Sequence, residues 1–397
     1  MIAGFTSQGV DVVRLGVLPT PAATFLTPSL GVDMTVMITA SHNPYYDNGI
    51  KLIAASGDKF GDDVTARLEA AVVDGEFSFD KEKLGRVSED KTAAERYKEI
   101  ALGMGGKELP LQGLKVVLDC ANGCFSEIMP EVFAKLGADV TALSCMPDGT
   151  NINRDCGSQH IDAMTAKVRD CGAMLGIAAD GDGDRIIICD EKGNRVDGDQ
   201  IIAFLGKYYK EHNRLKADTV VATIVSNPAL DRFLEGIGVK CVRSAVGERY
   251  VIEEMKKCGS NIGGEESGHM VVADYAKTGD TMMAALVIAM GLLQSGKKMS
   301  EIFPLFTPMT RKRIDSKFCG KDEMLAAFEL AAFQAEIKQG EADIAGKGRI
   351  LVRKSGTEPK IQVWVWGDDV PLATAVSNRI ASVLEKADGF ESRKEVL

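Results

Sequence analysis

Three stretches of this chain repeat one junction, a glycine that stops a helix followed by a strand of alternating polarity. They begin at Gly9, Gly137 and Gly238 and run to Val17, Cys145 and Val246. In the second and third copies an apolar strand precedes the helix, from Lys115 to Cys120 and from Thr219 to Val225. Strand, helix, strand in that order needs a crossover connection, so the neighbours lie parallel in a mixed sheet. The pattern predicts an α/β protein of three tandem mixed α/β sheet domains. Any α/β protein offers similar junctions, so the repeat speaks to fold class, and chemistry has to be read from the loops. The first copy has only eight residues before Gly9, and its opening strand and most of its helix are missing.

Boundaries follow from the repeat: residues 1–104, 105–205 and 206–303 for the three copies, and 304–397 for a last segment of different style. Pro304 and Pro308 mark that passage. Beyond them, strand-like runs from Arg349 to Arg353 and from Ile361 to Trp366 flank a loop, and a helical run from Leu372 to Lys386 follows. That is the pattern of a small α+β domain. A chain of 397 residues suits several domains, since single cores stop growing near ~250–300 residues.

Charge and cysteine usage narrow the classes. A net charge of −10 argues against nucleic acid as the main partner, because neutralising phosphates needs a basic face. The nine cysteines are scattered with no C-x-x-C pair, which predicts free thiols in a reducing cytoplasm. The longest apolar run, from Met282 to Leu293, is broken by Gly291 and falls short of the ~20 residues that span a bilayer, so it predicts a buried helix and no membrane partner. Residues 1–10 lack the basic and apolar regions of a signal peptide.

Four polar, glycine-containing loops carry the candidate chemistry. Thr39-Ala40-Ser41-His42-Asn43-Pro44 follows an apolar, β-branched run, and two turn pairs, Asn43-Pro44 and Asn48-Gly49, present Ser41 on a tight loop. Its hydroxyl suits a nucleophile or phosphate carrier, with Lys51 near in sequence for proton transfer. Asp180-Gly181-Asp182-Gly183-Asp184-Arg185 sets carboxylates at alternate positions, which need a cation between them. An EF-hand would use Asp180, Asp182, Asp184 and Glu191, but Arg185 stands where that loop needs glycine, and the flanks read as strands. A Mg²⁺ site fits better.

Gly263-Gly264-Glu265-Glu266-Ser267-Gly268-His269 offers a carboxylate, a hydroxyl and an imidazole suited to sugar hydroxyls. Arg353-Lys354-Ser355-Gly356-Thr357 combines cations, hydroxyls and backbone amides into an anion nest fit for a phosphate monoester. Gly247 and Arg249, after the third repeat strand, add a further phosphate or sugar contact. The polar connection from Asn151 to His160 receives no chemistry from its spacing.

With these four motifs in order along essentially the whole chain, the sequence resembles the α-D-phosphohexomutase family. Tyr45-Tyr46-Asp47-Asn48-Gly49-Ile50-Lys51, the stretch from Asp148 to Ser158, and Val196-Asp197-Gly198-Asp199-Gln200 are similar to the bacterial branch that acts on glucosamine phosphates. The resemblance implies a four-domain, heart-shaped fold with the loops in one cleft. Ser41 would carry a phosphoryl group, and one Mg²⁺ per chain would be held by that phosphate and by Asp180, Asp182 and Asp184. Arg185 would balance charge, Lys51 and His269 would move protons, and Glu265 and Ser267 would hold sugar hydroxyls. Arg353, Ser355, Gly356 and Thr357 would grip the phosphate that is not reacting.

The implied reaction interconverts glucosamine 6-phosphate and glucosamine 1-phosphate through a 1,6-bisphosphate, with a phosphosugar as partner and a homodimer as the assembly. The rival readings are a mutase for mannose or glucose phosphates and an inactive phosphosugar-binding protein. Family members open with a strand and an arginine-bearing loop that nothing here matches. The expectation is a first sheet lacking one member and weak turnover.

Overall fold

Apolar runs in this sequence become the inner strands of sheets. The computed structural model describes residues 1–75, 83–104, 110–355 and 358–396. The chain divides into two units, residues 1–223 with 242–304, and residues 224–241 with 305–397.

The second copy of the repeat sets the pattern in the first unit. Its five-stranded sheet runs Asp139–Leu143, Lys115–Asp119, Leu175–Ala179, Ile186–Asp190, Arg195–Val196. The first three strands are parallel and the last two pairings antiparallel. Leu175–Ala179 and Ile186–Asp190 are buried throughout, as the apolar run of each demands, with the closing Asp190 satisfied by the Lys192 and Asn194 amides. Helix Asp162–Cys171 covers one face by placing Met164 and Val168 against Val117, Ala178 and Ile187. Burying Met164, Val168, Val117 or Ile187 contributes about 1.5–3 kcal/mol each.

The third copy repeats the order. Thr219–Thr223 pairs parallel with Ile262–Gly264, which pairs antiparallel with Met270–Val272. Residues 242–244 of strand Lys240–Ser244 lie on the outer side. Numbered within each copy, both sheets read second, first, third, fourth, and the second copy adds a fifth strand at that edge.

The first copy departs from that order. Val12–Arg14 pairs parallel with Val87–Glu89, and Met34–Ile38 pairs antiparallel with Ile50–Ala54, as two separate two-stranded sheets. Val12–Arg14 follows the repeat's glycine stop and stands for the second strand; Met34–Ile38 and Ile50–Ala54 stand for the third and fourth. Among the described residues no strand joins the two ribbons. A short helix, Ile2–Ser7, leads into the first.

Helix Thr281–Ser295 is apolar on nearly all faces and buried, as its sequence predicts. Asp280 caps it by accepting from the Met283 amide at 3.1 Å. Both Asp280 oxygens also accept from the buried Tyr97 hydroxyl, at 2.8 and 2.9 Å. Burial pushes this carboxyl up to about 7, against the pull of Tyr97 and the helix amides. A carboxyl raised above its unfolded value of ~3.9 stabilises the fold below that pH and loses the contribution as pH rises through about 7. Asp280→Asn keeps an acceptor for the cap and cannot ionise. Thermal melts should therefore show the variant gaining on the parent between pH 5 and pH 8, and a constant difference would contradict the assignment.

In the second unit an antiparallel sheet runs Gly348–Lys354, Lys360–Gly367, Thr310–Phe318, Phe390–Val396. Helix Val370–Leu384 packs Val376, Ile380 and Leu384 against Phe318, Phe333, Val363 and Val365, the expected α+β arrangement. All nine cysteines are free thiols. Among the described residues no helix is long and apolar enough to cross a membrane.

Candidate active site

Each copy in the first unit presents its motif at the same place, the loop from its third strand to its antiparallel fourth. Ser41 lies between Met34–Ile38 and Ile50–Ala54, the aspartates between Leu175–Ala179 and Ile186–Asp190, and Glu265 to His269 between Ile262–Gly264 and Met270–Val272. Strands flank the aspartate loop on both sides, and Glu191 is bound instead to Ser300, accepting from its amide at 3.1 Å and its hydroxyl at 2.5 Å. The EF-hand reading therefore falls.

Ser41 sits in the left-handed region, φ +55°, a conformation that costs a non-glycine residue about 1–3 kcal/mol. Its amide donates to Thr39 Oγ1 at 2.9 Å, and its hydroxyl donates to Asp180 Oδ2 at 2.6 Å. The loop closes where Thr39 N–H meets the Gly49 carbonyl at 3.0 Å. A Cβ on Gly49 would lie 2.5 Å from the Thr39 oxygen, so only glycine fits there.

The three aspartates are buried, and their ligand-capable oxygens lie within 4.8 Å of one another. Asp180 Oδ1 accepts from the Gly183 and Arg185 amides at 3.1 Å each. Asp182 Oδ2 accepts from Thr20 Oγ1 at 2.8 Å, Thr39 Oγ1 at 2.9 Å and Lys51 Nζ at 2.6 Å. Lys51 also donates to Asp184 Oδ2 at 2.7 Å. Asp182 Oδ1 is buried with no hydrogen-bond partner.

Burial and the charges of Asp184 and Asp182 push Asp180 up to about 8. Burial works against the Lys51 charge, but Asp184 and Asp182 outweigh it and hold the ammonium protonated. Burial also opposes ionisation of Asp184, yet His269 and Lys51 hold it well below the usual carboxylate range. Lys51 is thus the counter-cation of the cluster, and the Ser41 hydroxyl faces Asp180.

The third loop joins the second through an isolated bridge between Arg185 and His269. Glu265 Oε1 accepts from the Gly247 amide at 2.8 Å, and Oε2 lies 2.8 Å from His269 Nδ1. Gly247 has φ +125°, open to glycine. Ser267 Oγ is 3.5 Å from His269 Nδ1, and Arg249 Nε donates to Glu253 at 2.7 Å. Burial disfavours a charged His269, but Asp184 and Glu265 outweigh it and push the ring up to about 10. Arg185 Nε, 3.1 Å from His269 Nε2, calls instead for a lone pair there. With a carboxylate at each ring nitrogen, 3.3 Å and 2.8 Å away, the protonated ring is the resting form.

In the second unit Arg353 pairs opposite Gln362, one residue before the ladder ends at Lys354 and Ile361. The Ser355 amide donates to the Lys360 carbonyl at 2.9 Å, and Ser355 Oγ accepts from the Glu358 amide at 3.4 Å. Gly356 and Thr357 lie outside the described residues.

Sequence reasoning missed several participants. Thr39 belongs to a motif whose evident feature is its serine, and Thr20 carries no local signal of a role. Glu248, one residue from the Gly247 that was singled out, is buried and accepts from Lys59, Thr278 and the Gly279 amide. Burial would raise its carboxyl, but Lys59 and His269 hold it at about 2. Asn153 sits in the connection that spacing left without chemistry.

Comparison with known proteins decides the family. Models of phosphoglucomutase/phosphomannomutase α/β/α domains I, II and III match residues 1–78, 96–193 and 197–309, and that of the C-terminal domain matches residues 315–383. The chain belongs to the phosphoglucomutase/phosphomannomutase family. Among its relatives in that family, the phosphoglucosamine mutase of Paramagnetospirillum magneticum is 45% identical over 98% of this chain and 86% of that protein. The phosphoglucosamine mutase of Rhodospirillum centenum is 44% identical over 98% and 83%. A family member from Burkholderia thailandensis shares the fold with a TM-score of 0.79 at 21% identity, over 97% of this chain and 85% of that one. So does an N-acetylphosphoglucosamine mutase of Aspergillus fumigatus solved with GlcNAc-6P and magnesium, with a TM-score of 0.68 at 16% identity over 96% and 97%.

Proposed function

We propose that this member of the family interconverts glucosamine 6-phosphate and glucosamine 1-phosphate, with Ser41 as the phosphoryl carrier. The observation that carries the reading is the Ser41 hydroxyl set 2.6 Å from Asp180 at the edge of a buried three-aspartate cluster. The names of relatives identical at more than 40% favour the amino sugar over glucose or mannose. Nine free thiols suit the reducing cytoplasm.

The donor set fits one hard divalent cation such as Mg²⁺: three buried carboxylates that offer only oxygen ligands, with a buried Asp182 oxygen that has no hydrogen-bond partner. Asp180, Asp182, Asp184 and a phosphoryl oxygen on Ser41 would hold it, and it would neutralise charge on the transferring group. The chain's own residues position and move protons. Phosphorylated Ser41 gives its phosphoryl group to the free hydroxyl of the bound sugar monophosphate. The P–Oγ bond breaks, the new P–O bond forms, and the sugar hydroxyl's proton passes to Lys51 or His269 after that group has released its own resting proton to solvent. The bisphosphate turns over and returns its other phosphoryl group to Ser41. Glu265 and Ser267, with Gly247 and Arg249 beside them, orient sugar hydroxyls, and Arg185 balances charge. Arg353, Ser355, Gly356 and Thr357 hold the phosphate that is not transferring, the one constant grip for two opposite poses.

Phosphorus NMR of the full chain with glucosamine 6-phosphate, Mg²⁺ and a trace of sugar 1,6-bisphosphate should show the 1-phosphate accumulating. Conversion of glucose or mannose phosphates in preference would overturn the substrate, and no conversion would overturn the function. Arg353→Ala should weaken glucosamine 6-phosphate binding by about 2–5 kcal/mol in calorimetry, the range for a desolvated charge pair losing one partner. Unchanged affinity would remove Arg353 from the site.

A further inference from the structure

The connection from Asn151 to His160 has a use that its spacing did not disclose. It is pinned first to the end of the neighbouring strand: Asp119 accepts from the Ala121 amide at 3.0 Å and from the Gly157 amide at 2.9 Å. The Asn153 amide then donates to the Ala121 carbonyl at 2.9 Å, and Asn122 Nδ2 donates to the Asn151 carbonyl at 3.3 Å. Thus anchored, Asn153 is only 8% exposed and holds φ +58°. Its side-chain nitrogen donates to two carbonyls of the Ser41 loop, those of Ser41 and Asn43, at 2.9 Å each.

Both partners are carbonyl oxygens, so only the NH₂ end of the amide can face them. The two bonds fasten the carbonyls of Ser41 and Asn43, at the left-handed residue and just after it, to the second copy of the repeat. The packing around the tie is close. A Cβ on Gly181 would lie 2.7 Å from the Ser41 oxygen and 2.8 Å from Asn153 Nδ2. The Ser41 backbone, Asn153 and the aspartate loop therefore meet with no room between them.

We propose that Asn153 is a positioning residue for phosphoryl transfer, fixing the Ser41 turn over the aspartates from outside its own copy of the repeat. The proposal rests on Ser41 being the phosphoryl carrier. Losing the tie leaves Ser41 in place in sequence but free to leave the left-handed turn. An ångström of misplacement costs on the order of 100-fold in rate.

The test uses the full chain with Asn153→Ala, Asn153→Ser and Asn153→Asp. Thermal melts report folding, intact mass with peptide mapping follows Ser41 phosphorylation by a sugar 1,6-bisphosphate, and steady-state assays give kcat and KM. The expected result is folded Ala and Ser variants that phosphorylate Ser41 slowly, with kcat down on the order of 100-fold and KM for glucosamine 6-phosphate unchanged. Asn153→Asp sets a carboxylate against two carbonyls and should be worse than Ala. Parent-like kcat and phosphorylation rate in a folded Ala variant would overturn the proposal. So would equal losses in kcat and substrate affinity, or failure of both small variants to fold, since either makes the role structural. Phosphate mapped away from Ser41 in the parent overturns the carrier reading itself, a separate result.

Discussion

Ser41→Ala should lower kcat/KM by roughly four to six orders of magnitude, the loss seen when a covalent catalyst's nucleophile is removed. The variant loses one oxygen and with it the 2.6 Å bond to Asp180. The other hydroxyl of the loop from Thr39 to Pro44 cannot take over, because Thr39 Oγ1 is already committed to Asp182. The fold should persist, because the loop keeps the Thr39 and Asn153 bonds made through Ser41's backbone. Intact mass of the parent should show a fraction heavier by one phosphoryl group, and that fraction should vanish in the variant. A phosphorylated Ser41→Ala protein would place the carrier elsewhere.

Asp182→Asn should cost about 10²–10³-fold in kcat, comparable to removing one preorganised electrostatic contact. The position is unusually demanding. One oxygen of Asp182 already accepts from Thr20, Thr39 and Lys51, while the other is buried and unpartnered. Asparagine keeps the shape but removes the charge, and its NH₂ must face either the hydroxyls and ammonium or the empty acceptor position. Mg²⁺ affinity, read by titrating activity against the ion, should fall with kcat, while KM for the sugar phosphate changes little. Parent turnover that survives a chelator would sink the cation reading.

How legible was this in the sequence? The aspartate loop was plain, because carboxylates at alternate positions are costly without compensation and the flanking runs could only be buried strands. The α/β class followed from the glycine stops. Lys51 was placed near the site from its distance in sequence, yet its two-carboxylate ion pair comes from side chains more than a hundred residues away and no local pattern encodes it. Thr20 and Asn153 were invisible for the same reason: a threonine after a proline and an asparagine in a polar turn are ordinary locally. The equivalent placement of three motifs on third-to-fourth-strand loops appears only once the sheets are paired. The first copy's two separate ribbons could not be foreseen in detail, since strand pairing is non-local.

Those two ribbons have a consequence for how order is distributed. Val12–Arg14 with Val87–Glu89, and Met34–Ile38 with Ile50–Ala54, each hold a single ladder, the second backed by helix Thr20–Leu30 through Thr27 and Thr35, and a two-stranded ribbon is held less firmly than an inner strand of a five-stranded sheet. Native-state hydrogen exchange should therefore find the amides of these strands opening at a fraction of the global unfolding free energy, while those of Leu175–Ala179 exchange last. The serine would then be carried on the softest part of the first unit and aligned by groups on a stiff one. Its precision would be a property of the neighbouring fold, and a change to the groups there that touch the serine loop would blunt the nucleophile's alignment without removing the nucleophile.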